Sequence, residues 1–183
     1  MSGAVAQLSL TEWVVLSLLV EGRSHGFALA RELQPGGALG QVWTVPRPLV
    51  YRALEQLARP HLDTVVGEES GGQGPVRTIY RATPAGRRAA TRWLVEPVEH
   101  LRDVRAILLL KLLLLRRSSL SCRDLLVAQK ERFAPLFDSL TDQLERGEGD
   151  PVVGTWRYES SQSVARFLDR LLAQEGSDEE LLG

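Results

Sequence analysis

The sequence predicts a mainly α-helical protein with one small β-hairpin, arranged as an N-terminal winged helix-turn-helix followed by a C-terminal helical dimerisation domain. Between Trp43 and Ala90, a short amphipathic helix precedes two β-rich runs around a glycine-rich tip, and Thr83-Pro84 then opens another helix. Two short apolar helices upstream provide the scaffold that such a unit needs. Beyond Pro97, three longer helical patterns carry apolar stripes that must be buried against something.

These patterns divide the chain into a winged helix-turn-helix domain at 8–95, a helical dimerisation domain at 96–175 and a disordered acidic tail at 176–183. Residues 1–7 are expected to be loose. The net charge of −1 argues against a general basic coat for nucleic acid. Residues 1–93 nevertheless hold ten arginines against seven acids, whereas the rest of the chain has an acidic excess. This asymmetry fits a DNA-facing unit joined to a unit with another role.

Missing motifs exclude several classes of protein. A single cysteine, Cys122, and three scattered histidines give neither a disulfide framework nor metal-ligand spacing, so no metal or cofactor is expected. A phosphate-binding loop and a Gly-x-Ser-x-Gly elbow are also missing, so the chain is not predicted to be an enzyme. No signal-peptide pattern is present, and the apolar stretch Ala106–Leu115 is interrupted by Lys111 and too short to span a membrane. We therefore expect a cytoplasmic protein.

Two short helices are expected before the central stretch. The first runs from Leu10 to about Glu21 and is apolar on most sides, so it should be buried. We expect Gly22 to end it in the left-handed conformation, which glycine adopts without strain. Ser24 is then placed to cap a second helix over His25–Gln34.

The next helix carries the predicted DNA contacts. Its apolar side chains between Val50 and Leu57 recur on one face, and arginines dominate the opposite face. Arginine has a planar fork of donors that can read guanine in the major groove or clamp a phosphate. A solvated ladder of ion pairs among Arg52, Glu55 and Arg59 is the alternative interpretation. The predicted DNA-binding residues of this helix are Arg47, Pro48, Tyr51, Arg52 and Arg59.

The β-rich runs predict a hairpin, or wing, with strands at about 62–66 and 76–82. Its tip holds Gly71, Gly72 and Gly74, and glycines allow close approach to a sugar-phosphate backbone. Arg77 and Arg81 are the predicted DNA contacts of the wing. Glu68 and Glu69 would repel phosphate, and together with Glu55 they favour a second function, a winged-helix module that binds protein and does not read DNA.

Three segments, in order and spacing, resemble the PadR family of transcriptional regulators: SHGFALARELQ (24–34), PLVYRALEQL (48–57) and YRATPAGRRAATRWL (80–94). The resemblance covers roughly residues 8–174. It implies a homodimer on a double-stranded DNA operator, with the recognition helix in the major groove, the wing beside it, and repression that an effector relieves. A two-fold dimer reads an inverted repeat. Arg59-Pro60-His61-Leu62 departs from the family, which usually has an acidic residue, any residue, glycine and leucine there.

The C-terminal half predicts three helices, at about 100–117, 120–146 and 152–174, with Pro135 inside the second. The last helix places apolar and small side chains along one seam, which a second copy of the chain would cover. A three-helix bundle within one chain is the alternative. The predicted dimerisation residues are Val153, Trp156, Ser160, Val164, Phe167 and Leu171.

A small aromatic effector is the remaining expected partner. Trp13 and Trp93 come from the first helix and from the helix after the wing, and they are the candidate effector contacts; ordinary core packing is the alternative. The sequence thus predicts a homodimeric, sequence-specific DNA-binding regulator, a repressor, without cofactor or metal.

Overall fold

A computed structural model describes residues 8–69 and 76–180 of the chain. It is mainly helical with a small three-stranded antiparallel sheet, which confirms the predicted fold class. The chain divides into two compact units, Met1–Leu94 and Val95–Gly183, and each is described by itself. The expectation that residues 1–7 are loose lies outside the described residues. Within the described ranges, no helix is long and apolar enough to cross a membrane.

The first unit contains four helices and a sheet among its described residues. Strand β3 lies in the middle of the sheet, between β1 and β2, and both pairings are antiparallel. In chain order the elements are α1 (Leu10–Glu21), β1 (Ser24–His25), α2 (Gly26–Glu32), α3 (Arg47–Ala58), β2 (Asp63–Glu69), β3 (Arg77–Ala82) and α4 (Pro84–Val95).

Helix α1 begins with a capping box and is buried on most sides. The Ser9 hydroxyl accepts from the Glu12 amide at 3.4 Å, and the Ser9 amide donates to the Glu12 carboxylate at 2.9 Å. Val14 to Leu19 are all buried, as the apolar composition predicts. The expected left-handed conformation of Gly22 is wrong. Its φ of −179° is extended, because the chain leaves the helix directly toward a strand.

That strand was not predicted, and it changes how α2 begins. Ser24 does not cap α2, because Ser24 and His25 pair with Tyr80 and Ile79 of β3. The cap is His25, whose Nδ1 accepts from the Ala28 amide at 3.0 Å. A side-chain acceptor at this position satisfies one of the amides that have no partner within the helix.

The loop between α2 and α3 is closely packed. Gln34 donates to the Val45 carbonyl at 2.6 Å, and Leu39 is fully buried. Gly40 lies so close to the Gln34 carbonyl that a Cβ would overlap it, so only glycine fits. These contacts hold the chain in place immediately before α3 begins.

The hairpin is longer than predicted. Strand β2 extends to Glu69 instead of ending at Val66, with a register irregularity between Val65 and Gly67. This irregularity is typical of a β-bulge, and it lets Gly67 lie within the strand. The tip, including Gly71, Gly72 and Gly74, lies outside the described residues.

The second unit is helical throughout its described elements. The single helix expected at 100–117 is divided by a π-helical stretch, which is a tolerated irregularity within a helix. The next helix begins later than predicted, because Ser119 has a φ of 54°. The elements are α5 (Leu101–Asp103), the π-helical stretch (Val104–Leu108), α6 (Leu109–Arg117), α7 (Arg123–Glu145) and α8 (Pro151–Glu180).

Helix α8 also corrects the expected disordered tail at 176–183. Residues 176–180 continue the helix past its predicted end at Gln174, while 181–183 lie outside the described residues. The physical reason is that Gly176 takes up a helical conformation instead of a cap, and no proline follows it to end the helix.

Helices α7 and α8 are joined by polar contacts as well as apolar packing. Lys130 of α7 pairs with Asp169 of α8 at 2.6 Å. The Glu175 carboxylate accepts from the Cys122 amide at 2.9 Å and from the Ser121 hydroxyl at 3.1 Å, which places a negative charge at the start of α7. Carboxylates are favourable there because the amides of a helix start lack partners.

Gln129 and Lys111 are buried polar side chains of the second unit. Gln129 both donates to the Val98 carbonyl and accepts from the Val98 amide. Lys111, which interrupts the apolar run, donates to the Glu96 carbonyl at 2.5 Å. Burial lowers the pKa of Lys111 to about 8, against the opposing attraction of the Glu96 carboxylate.

Candidate nucleic-acid interface

Helix α3 exposes its polar face because its apolar face is buried against the rest of the unit. Val50, Leu54 and Leu57 are buried, and the helix packs on α1 and α2. Its predicted contact residues are all exposed: Arg47, Pro48, Tyr51 and Arg52 on the helix, and Arg59 at its C-terminal cap.

The expected alternative for this face, a ladder of ion pairs, is not formed. No ion pair or hydrogen bond joins Arg52, Glu55 and Arg59, although all three lie among the described residues. The guanidinium groups of Arg52 and Arg59 are therefore left in solvent with their donors available.

Arg47 lies at the start of α3 and contacts two aromatic rings. Its guanidinium carbon is 4.9 Å from the centroid of Phe27 and 5.6 Å from that of Tyr51. Its Nη2 also donates to the Tyr51 hydroxyl at 3.4 Å. Phe27 comes from α2, so two helices contribute to this contact.

Arg77 brings the wing to the same place. Its guanidinium carbon is 5.7 Å from the Phe27 centroid, and its Nη1 is 3.4 Å from His25 Nε2. The pairing of His25 with Ile79 explains this contact, because Arg77 and Ile79 are two residues apart in β3 and share a face. Arg81 shares that face too and is exposed.

Tyr51 lies against a glycine. A Cβ on Gly26 would lie only 2.6 Å from the Tyr51 ring, so any other residue would displace the ring. Behind it, burial raises the pKa of Tyr80, and the nearby Asp63, Tyr51 and Glu55 add to the effect. Tyr80 of β3 thus lies within electrostatic reach of α3.

Asp63 begins β2 and is the buried charge of this region. Its side chain is buried, its Oδ2 has no hydrogen-bond partner, and burial raises the pKa of its carboxyl to about 6. Burial disfavours the charged carboxylate and raises its pKa, and a backbone hydrogen bond to the carboxyl opposes this shift only in part.

The acidic residues of the wing do not neutralise its arginine. Glu69 is opposite Arg77 in the sheet and Glu68 is opposite Thr78, and both glutamates are exposed. No ion pair joins Glu69 to Arg77, whose guanidinium contacts His25 and Phe27 instead.

The structure brings together three of the predicted residues, Arg47, Tyr51 and Arg77. It leaves Arg52, Arg59 and Arg81 on the exposed surface without recorded partners, and Pro48 in the first turn of α3. Sequence reasoning missed His25 and Phe27. The available signal was the Ser-His-Gly-Phe run at 24–27, where α2 begins with an exposed aromatic residue.

The two candidate effector residues stack on each other. The rings of Trp13 and Trp93 are parallel within 1°, with their centroids 5.4 Å apart. Aromatic rings at this spacing are already in contact. A ligand ring therefore cannot enter between them unless they move.

The predicted dimer seam is partly covered by its own chain. Toward the start of α8, Val153 and Trp156 are exposed by 54% and 73%. Farther along, Ser160, Val164, Phe167 and Leu171 are half-buried. The first turns of α8 therefore carry the unpartnered part of the seam.

A three-helix scaffold with one exposed, arginine-bearing helix and an adjoining antiparallel hairpin defines a winged helix-turn-helix unit. Residues 15–92, most of this unit, match the model of the "Transcriptional regulator PadR-like family", which confirms the resemblance that the sequence motifs carry. No curated protein sequence matches this chain.

Solved structures with similarity to the chain include two of Bacillus subtilis PadR. The one in complex with operator DNA is 19% identical, with 91% of this chain and 99% of that chain covered and a TM-score of 0.48. The one in complex with p-coumaric acid is 20% identical, with 92% and 99% covered and a TM-score of 0.43. The structure of smu.1604c from Streptococcus mutans UA159 is 19% identical, with 88% and 98% covered and a TM-score of 0.42.

Proposed function

We propose that this protein is a sequence-specific DNA-binding transcriptional regulator that acts as a homodimer and represses its target. The observation that carries the proposal is the exposed face of α3, where arginines stand without acidic partners beside a wing that contributes a further arginine. Such side chains are the usual means of reading guanine and of neutralising phosphate. The match of residues 15–92 to a family of transcriptional regulators supports it.

Arg52 is the residue that tests this proposal. It is exposed and without partners, so Arg52→Ala should change the free energy of unfolding by less than about 0.5 kcal/mol. If Arg52 meets a base edge, the variant loses about 1–3 kcal/mol of binding and relaxes preference at one position per half-site. If it meets a phosphate, all DNA sequences weaken alike and the salt slope falls by about one per protomer.

The measurement is a titration of full-length protein against DNA fragments selected from genomic DNA, at several salt concentrations. Arg88→Ala is the matched control, because Arg88 is also exposed but belongs to α4 and not to α3 or the wing strands. We expect Arg88→Ala to bind as wild type does. If Arg52→Ala is folded and binds as tightly as wild type, α3 is not the helix that enters the major groove.

A protein-binding winged helix is the second candidate function, and the exposed glutamates Glu55, Glu68 and Glu69 favour it. Titration with DNA distinguishes the two functions. A DNA-reading protein shifts selected fragments in a salt-dependent way and prefers them to unrelated duplexes. Failure to bind any selected duplex at low salt would favour the protein-binding function.

We also propose that a small aromatic effector relieves repression by binding at Trp13 and Trp93. Because their rings already stack, the effector would bind at the edge of the pair or separate the rings. Either event should quench tryptophan fluorescence saturably, and the same compound should release DNA over the same concentration range. Quenching without release of DNA would mean that these two residues only pack in the core and do not bind an effector that controls DNA binding.

A further inference from the structure

We propose that five side chains form one binding site for a single DNA phosphodiester, at the junction of the recognition helix and the wing. This arginine–aromatic cluster consists of His25, Phe27, Arg47, Tyr51 and Arg77. The proposal rests on the proposed DNA-binding function and adds His25 and Phe27 to it. In this site, α3 and the wing contact the same phosphate instead of one phosphate each.

The first argument is the hydrogen-bonding role of each His25 ring nitrogen. Its Nδ1 accepts a hydrogen bond from the Ala28 amide, so Nδ1 carries no proton in the capped state. A neutral imidazole with an unprotonated Nδ1 has its proton on Nε2. Nε2 lies 3.4 Å from Arg77 Nη1, which is also a donor.

Two donors that face each other cannot hydrogen-bond to each other. Such a pair is favourable when both point at a common acceptor, and an anionic oxygen gives the strongest bonds of this kind. The His25–Arg77 contact therefore has a geometry suited to binding an oxyanion.

The second argument is the position of Arg47. It donates to the Tyr51 hydroxyl, which therefore acts as acceptor and keeps its own proton to donate. Both guanidinium groups, from Arg47 and Arg77, lie within 6 Å of the Phe27 ring centroid. The donors of α3 and of the wing thus converge around one ring.

The third argument is charge. Neither Arg47 nor Arg77 pairs with a carboxylate in the part of the chain that the structure describes. The two guanidinium groups carry the same charge, and their contacts here are with aromatic and imidazole rings: Phe27 for both, Tyr51 for Arg47 and His25 for Arg77. A phosphodiester, with its one negative charge, would offset half of this positive charge and would supply an acceptor for both groups.

Phe27 is 39% exposed, and its ring contacts His25 as well as both arginines. An exposed aromatic between two arginines acts as a platform that orients them. The strand pairing of His25 with Ile79 holds this platform against the wing, so helix and wing reach one phosphate as a unit.

The deciding experiment is a double-mutant cycle on Arg47→Gln and Arg77→Gln, measured by equilibrium binding to a selected fragment. Residues that share one phosphate are coupled, so the double variant should lose less affinity than the product of the two single losses. If the affinity loss of the double variant equals the product of the two single losses, the two arginines bind separate phosphates, and the proposal of a single site is wrong. Melting temperatures equal to wild type establish that each variant folds.

Two further variants test the new members of the cluster. His25→Asn keeps a good helix cap but removes the Nε2 donor, and Phe27→Leu keeps an apolar side chain but removes the ring. Each should weaken selected and unrelated duplexes by the same factor, about 2–5-fold, because a phosphate contact carries no base preference. Unchanged affinity in both folded variants would remove His25 and Phe27 from the site.

Neutral phosphate analogues identify the ligand directly. A single methylphosphonate is placed in turn at each position of one half-site. It should weaken wild type at each contacted phosphate, and at one of these positions it should leave the Arg47→Gln/Arg77→Gln double variant unaffected. If cluster variants are impaired but every position that weakens wild type weakens the double variant equally, the cluster does not bind a DNA phosphate and the proposal is wrong. If wild type binds no selected duplex, the proposed function itself has failed, and this outcome is distinct from the others.

Discussion

At the scale of single residues, the buried carboxyl of Asp63 sets the pH dependence of the first unit. Its Oδ2 has no partner, and burial raises the pKa of the carboxyl from its ordinary value of 3.8 to about 6. The folded protein therefore holds a proton more tightly than the unfolded chain. Linkage then requires the free energy of unfolding to fall as the pH rises from about 4 to about 6, and to stay low above that.

Asp63→Asn should remove this penalty. At pH 8 the variant should be more stable than wild type by up to about 3 kcal/mol, since one unit of pKa corresponds to about 1.4 kcal/mol. The gain should shrink as the pH falls through 6 and nearly vanish at pH 4. Urea unfolding at pH 4, 6 and 8 measures it. A gain of the same size at all three values would trace the effect to packing rather than to ionisation.

At the scale of elements, the join between α3 and β2 relies on a strained residue. His61 has a φ of 54°, in the left-handed region, and Leu62 continues the turn by donating to the Leu57 carbonyl at 3.0 Å. Thr83 closes the same turn from the start of α4, since its hydroxyl donates to the His61 carbonyl at 2.7 Å. Helix α3, strand β2 and helix α4 therefore meet at His61, whose backbone conformation favours glycine.

His61→Gly should stabilise the first unit by about 1 kcal/mol. The left-handed conformation costs a residue with a Cβ about 1–2 kcal/mol, and the greater freedom of glycine in the unfolded chain offsets part of this gain. His61→Ala is the matched control and should show no gain, because alanine keeps the Cβ. Urea midpoints compare the three proteins. A midpoint for His61→Gly that is no higher than that of His61→Ala would mean that relief of the left-handed conformation does not stabilise the turn.

At the scale of the whole molecule, the second unit leaves an apolar surface that one copy does not cover. Val152 and Trp156 are exposed by 79% and 73% on the first turns of α8. Large exposed apolar side chains grouped on one surface usually mark an interface. A second copy of the chain is the proposed cover, as an inverted repeat read by two copies requires.

Trp156→Glu should therefore separate the dimer without unfolding the protomer. The substitution places a charge in the proposed interface, where burying it is strongly unfavourable, yet the side chain is mostly exposed in a single chain. Thr155→Glu is the matched control, because Thr155 is also exposed but lies about 100° around the helix. Sedimentation velocity should report a dimer for wild type and Thr155→Glu, and a folded monomer for Trp156→Glu.

The same comparison can contradict the proposal in two ways. A monomeric wild type at micromolar concentration would leave α8 without a second copy. A dimeric Trp156→Glu protein would move the interface elsewhere. Phe167→Asp is less informative, because Phe167 is half-buried within its own chain and the substitution can also destabilise the protomer.

The sequence by itself determined the elements whose signal is local. Helical spacing of apolar residues predicted α1, α3 and α4 to within a few residues, and the same spacing placed Arg52 on the exposed face of α3. Burial on one side of a helix depends on residues three and four positions apart, so a short window of sequence is sufficient. The capping role of Thr83 was predictable for the same reason, since it accepts from the Gly86 amide three positions later.

Only the tertiary structure decided the features that depend on distant residues. The two-residue strand β1 is too short to show a period, and it exists because β3 pairs with it. The contact between His25 and Arg77 joins positions 52 apart in the sequence, and the stacking of Trp13 on Trp93 joins the two ends of the first unit. No local pattern encodes such contacts, because they arise from how packed elements are brought together and not from the preference of any one segment.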